Sequence, residues 1–91
     1  MTQQQIYDEL KLLAEQIGLS VRIEMGDFEG GLCTVNDRRV ILINRRHLFG
    51  KRINVMARAL HQAGLGDVFV KPALREVIEE ELALAGAQRE Q

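Results

Sequence analysis

Tryptophan is absent, and the aromatic residues number four: Tyr7, Phe28, Phe49 and Phe69. The core must therefore be mostly Leu, Ile, Val and Met. The single cysteine, Cys33, excludes an intrachain disulfide, and a reducing, cytoplasmic setting is the simplest expectation. No apolar run approaches the roughly 20 residues that a membrane span needs, so no membrane association is expected. A basic start followed by an apolar stretch is also missing, and no signal peptide is expected. Internal repeats, linkers and low-complexity segments are lacking as well.

The 91 residues are 46% hydrophobic and 27% charged, the balance of an ordinary globular chain and too apolar for intrinsic disorder. A chain of this length buries roughly 60–68% of its unfolded surface, enough for a thin core. One domain over residues 1–86 is expected, with 87–91 as a disordered tail. Charge is unevenly placed. Residues 1–37 carry a net −5, residues 38–66 a net +7 with no acid, and residues 67–91 a net −3, for a total of −1. A basic middle between acidic ends signals internal pairing, self-association or an anionic partner.

Ile6, Leu10, Leu13 and Ile17 recur at helical spacing and predict a helix over 3–17. Thr2 and Gln5 have the form of a capping box, and Gly18 followed by Leu19 fits a left-handed helix end. Residues 20–25 alternate, with Val21, Ile23 and Met25 on one side and Arg22 and Glu24 on the other, as in a half-buried strand. The glycines at 26, 30 and 31 mark a loop or bulged turn. Leu32–Val35 is a second strand, and Asn36-Asp37 is a two-residue hairpin turn, since both residue types tolerate positive φ. Val40-Ile41-Leu42-Ile43 is apolar on both faces and predicts the central strand, covered by helices on at least one side.

Residues 44–50 read as a connection, and 51–63 as a helix with Ile53, Met56, Ala57 and Leu60 inward and Gly64 at its end. Val68-Phe69-Val70 is extended because a proline follows shortly after, and Pro72 suits the first turn of a third helix. Leu74, Val77, Ile78 and Leu82 form that helix's inner stripe, with Glu76 and Glu79–Glu81 as solvated charge. The expected fold is α+β: an N-terminal helix, a three-stranded antiparallel meander and two C-terminal helices.

No motif names a chemistry. Gly30-Gly31 is followed by a strand instead of the helix N-terminus that a phosphate loop requires, and is read as a structural turn. Cys33, amid apolar residues of a strand, is read as a small buried hydrophobe. His47 and His61 stand fourteen residues apart, without the short spacings of zinc ligands. No cofactor and no metal is expected. The basic residues Arg38, Arg39, Arg45, Arg46, Lys51, Arg52 and Arg58 are the candidate interaction surface. Such residues attract phosphate backbones, but the aromatic platform of a single-strand binder is lacking.

One longer pattern carries a resemblance. Ala14-Glu15-Gln16-Ile17-Gly18-Leu19-Ser20-Val21 is followed by Gly30-Gly31, then by Val40-Ile41-Leu42-Ile43-Asn44, then by the helix Val55-Met56-Ala57-Arg58-Ala59-Leu60-His61-Gln62. In that order the segment Ala14–Leu65 resembles the front half of small zincin-like metallopeptidase domains of the ImmA/IrrE type, whose active-site helix carries His-Glu-x-x-His. In the matching register the first histidine is Arg58, the glutamate is Ala59 and the second histidine is Gln62. Arginine offers no lone pair to a metal, and alanine cannot activate water. His61 lies one position early, about 100° around the helix. The resemblance thus implies a metallopeptidase-like frame without zinc hydrolysis.

The leading expectation is a non-catalytic protein-interaction domain, with a protein partner or a second copy of itself. One form of self-association sets the acidic third helix of one copy against the basic middle of another. The alternative is a nucleic-acid-binding module using the basic segment 38–58. A third reading is an enzyme using Cys33 with His47 or His61, if two of these meet in a pocket.

Overall fold

A computed structural model describes residues 1–89, and side chains through Gly86. The elements run α1 (Gln3–Gln16), β1 (Ser20–Glu24), β2 (Gly31–Val35), β3 (Arg38–Asn44), α2 (Phe49–Ala63) and α3 (Pro72–Arg89). The class and element order are those expected from the sequence. The last helix takes in residues 87–89 of the expected disordered tail; residues 90 and 91 lie outside the described residues.

Local signals set the ends of α1. The Thr2 hydroxyl accepts from the Gln5 backbone N–H at 3.2 Å, and the Thr2 N–H donates to Gln5 Oε1 at 2.8 Å, a reciprocal capping box. At the other end Gly18 has φ +84°. The Leu19 N–H reaches back to the Ala14 carbonyl and the Gly18 N–H to that of Glu15, the bond pair of a Schellman motif. Asn36 and Asp37 have φ of +51° and +65°, as a type I′ hairpin turn requires.

The sheet departs from the expected antiparallel meander. Strand order is β1-β3-β2, with β1 parallel to β3 and β2 antiparallel to it. The chain leaves β1, passes round the C-terminal end of β3 and returns as the far strand. Two features let it do so. Asn44, 3% exposed, donates from Nδ2 to the carbonyls of Gly26 (2.9 Å) and Phe28 (2.8 Å), and its Oδ1 accepts from the Arg46 N–H at 3.0 Å. Gly30, at φ +92°, lies so close to β3 that a Cβ there would sit 2.4 Å from the Leu42 carbonyl oxygen. Met25 falls beyond the end of β1 and is exposed, outside the apolar side of the strand on which its spacing placed it.

Ile41 and Ile43 of the central strand, flanked by Val21 and Leu32, form the face against which the helices pack. α2 lies on β2 and β3, α1 on β1 and α2, and α3 on α2 and α1. One core results, with Leu10, Ile41, Ile43, Met56 and Leu60 at its centre. The opposite face of the sheet carries Val40 and Leu42, with Ser20 and Cys33 beside the first and Arg22 and Gly31 beside the second. Among the described residues no helix is long and apolar enough to cross a membrane.

Candidate functional site

The β2–β3 register decides which backbone groups of β2 are free. Val35 and Arg38 close a two-residue turn and so exchange both hydrogen bonds across the ladder. Alternation makes Cys33–Val40 and Gly31–Leu42 bonded pairs too, and turns the N–H and C=O groups of Leu32 and Thr34 outward. Among the described residues, β2 is therefore an edge strand with an unpaired outer row. Its sequence, Gly-Leu-Cys-Thr-Val, contains no charge and no proline, the devices by which edge strands ordinarily resist a further strand.

Beside the first half of this edge runs a groove of about 290 Å³, lined by Glu29, Gly30, Gly31, Leu32, Val55, Arg58, Ala59 and Gln62. Val55, Arg58, Ala59 and Gln62 share one face of α2 because they follow the i, i+3, i+4, i+7 helical spacing. Val55 and Ala59 are buried and, with Leu32, supply the apolar part of the lining. Arg58 and Gln62 supply the polar part on the helix side. On the other side Glu29 is held by Lys51 at 2.7 Å. That ion pair, with the charge of Arg58 adding a smaller share, keeps the Glu29 carboxyl below the usual carboxylate range.

The seven basic residues are spread along the fold. Arg38 and Arg39 sit at the start of β3 and Arg45 and Arg46 just past its end, about 20 Å away at strand rise. Three of the seven are engaged within the fold. Arg39 donates to the Ala63 carbonyl at the end of α2 (3.1 Å). Lys51 holds Glu29. Arg52 donates from Nε to the His47 carbonyl (2.8 Å) and from Nη2 to the Arg45 carbonyl (3.0 Å). Its guanidinium carbon also lies 5.7 Å from the Tyr7 ring centre and 5.4 Å from that of Phe49. Arg52 thus fastens the β3–α2 connection, and Arg58 is the member of the set that lines the groove.

Cys33 is half-buried on an edge strand, more open than the buried position expected for it, because β2 lies at the border of the sheet and this face carries no helix. His47 lies beside the crossing loop, near Gly26–Glu29 and Asn44, and its Nδ1 is buried without a hydrogen-bond partner. His61 is exposed on α2, in a different hollow shared with Arg58, Gln62, Leu82 and Gly86. No hollow among those described is lined by two of Cys33, His47 and His61. Among the described residues no three His, Cys, Asp or Glu side chains gather as a metal-binding group. Glu81, expected as solvated charge, accepts a hydrogen bond from Asn54 at 2.9 Å.

Leu32, Thr34 and Val55 were not legible as site residues from the sequence. The available signal was a strand free of charge directly after a glycine pair. In comparison with known proteins, the chain matches no family model, no curated protein and no solved structure.

Proposed function

We propose that this chain is a non-catalytic protein-interaction domain on a metallopeptidase-like frame, taking an extended segment of a partner protein along the outer edge of β2. The observation that carries the reading is the edge itself: an unpaired strand without charge or proline, open to a further strand. The groove beside it would receive side chains from alternate residues of the added strand. Arg58, Ala59 and Gln62 line that groove, and these are the positions where the resembled family carries its zinc-binding and base residues. Their replacement by residues that bind no metal is what a cleft kept for binding alone would show. Phosphate-backbone binding by residues 38–58 has less support, because Arg39, Lys51 and Arg52 already serve internal partners.

The test compares the tagged wild-type chain with its Thr34→Pro variant, purified from the native host with and without nuclease. The Thr34 N–H points away from β3, so proline there blocks an added strand while sparing the β2–β3 ladder. A protein partner that survives nuclease and is lost with Thr34→Pro supports the reading. A partner held equally by both forms, or released by nuclease, overturns it.

A further inference from the structure

We propose that the partner segment is a free C-terminus: the groove binds the last residues of a polypeptide antiparallel to β2, with the terminal carboxylate beside Gly31 and Arg58. The inference rests on the edge-strand reading above and names the ligand of that site. An antiparallel segment runs opposite to β2, so its C-terminal end lies at the Gly31 end of the strand. Arg58 lines the groove at this end and has no ion-pair partner among the described residues. Glu29, the one acid in the lining, is occupied by Lys51. The groove end therefore presents a guanidinium, the side chain best shaped for a carboxylate.

Space is available for the ligand. The groove beside Gly31 and Arg58 holds about 290 Å³, and Gly31 itself brings no side chain into it. Charge also selects the direction of the segment. A parallel peptide would bring its terminal ammonium toward Arg58, and an interior segment would bring an uncharged peptide group. Of these main-chain groups, the antiparallel free end alone answers the arginine. Leu32, Val55 and Ala59 then face the side chains close to that terminus, which favours apolar residues there.

The test uses two pools of random hexapeptides, identical in sequence space, one with a free C-terminal carboxylate and one with a C-terminal amide. Each is passed over the immobilised chain and the retained peptides are read by mass spectrometry. The free-acid pool is expected to be retained about tenfold or more over the amide pool, the ratio of one charge-assisted hydrogen bond. Arg58→Gln should remove that preference and Arg58→Lys should keep part of it. Thr34→Pro should lose both pools, and circular dichroism confirms that each variant is folded. Should Arg58→Gln fail to fold, salt decides instead: added salt must erode the acid preference while leaving amide retention in place. Equal retention of acid and amide by the wild-type chain, with loss of both in Thr34→Pro, overturns the free-terminus proposal and leaves edge binding standing. Retention of neither pool above the Thr34→Pro background overturns both. A preference for the acid that Arg58→Gln leaves intact overturns the role of Arg58.

Discussion

Asn44 and Gly26, eighteen residues apart, are joined by a 2.9 Å hydrogen bond from Asn44 Nδ2 to the Gly26 carbonyl. With the bond to Phe28 and the one accepted from Arg46, this side chain closes the loop that carries the chain past β3. Asn44→Ala would leave two carbonyls and one N–H of the loop without these partners. The expected loss is about 2–3 kcal/mol, a fall in thermal midpoint of roughly 10 °C or more for a domain this small. A thermal melt followed by circular dichroism checks it. Asn44→Asp should be at least as harmful, since a carboxylate faces the two carbonyls without a donor.

Arg52 separates a structural reading of the basic middle from a surface reading. Its two hydrogen bonds to loop carbonyls and its place beside Tyr7 and Phe49 are internal. Arg52→Ala should lower stability by about 2–3 kcal/mol, whereas Arg46→Ala, at an exposed position, should change it by less than about 0.5 kcal/mol. Arg52→Lys should recover little, because an ammonium cannot reproduce the planar fork. Urea titration of the three variants reads the difference. Equal effects from Arg46→Ala and Arg52→Ala would contradict the internal role.

These two side chains also mark where sequence reasoning stops. The elements were legible because their signals are local: a capping box at Thr2, a left-handed end at Gly18, a positive-φ pair at Asn36-Asp37 and Pro72 in a first helical turn. The pairing of β1 was not local. Adjacent strands most often pair, and the departure here depends on Asn44 reaching back to Gly26 and on Gly30 pressing against Leu42. The candidate site was harder still. A count of arginines says nothing of which carbonyls they reach, so the sequence alone groups Arg52 with Arg46. The groove needs an edge strand, and β2 became one only when β1 crossed to the other side of β3.

Gly30 and Gly31 should respond differently to alanine. At Gly30 the new methyl would collide with the Leu42 carbonyl at 2.4 Å, and φ is +92°. The substitution combines steric overlap with backbone strain and should cost about 3 kcal/mol or more. At Gly31 the space is open and only the φ of +135° opposes a side chain, so a loss of about 1–2 kcal/mol is expected. Chemical denaturation of both variants ranks them.

Tyr7 should make stability fall in alkaline solution. Burial raises its phenol above the ordinary value, and the charge of Arg52 offsets that only in part. Among the described residues the hydroxyl has no hydrogen-bond partner of acceptable geometry. Above about pH 10 the unfolded chain releases the phenolic proton before the folded chain does. The unfolded state then binds fewer protons, and stability declines as pH rises through the folded value. Tyr7→Phe should remove this contribution, so the alkaline limb of its stability curve should be flatter than that of the wild type. At neutral pH the variant should gain up to about 1 kcal/mol, since an unpartnered buried hydroxyl is removed. Stability measured from pH 7 to 11 for both forms checks the slope, and identical alkaline limbs would refute it.

The outward row of β2 can be tested with two prolines one residue apart. The N–H of Cys33 points to Val40 and that of Thr34 points away from the sheet, as the register from Val35–Arg38 requires. Cys33→Pro removes a ladder bond and should cost about 3 kcal/mol or more. Thr34→Pro removes none and should leave the melt close to wild type. Hydrogen exchange reads the same alternation without substitution. The amides of Cys33 and Val35 should exchange slowly, and those of Leu32 and Thr34 fast. On binding a peptide at the edge, Leu32 and Thr34 should become protected while Cys33 changes little, because an added strand bonds to the outward groups alone. Uniform protection along β2 in the free chain would mean that its edge is already covered, and the groove with it.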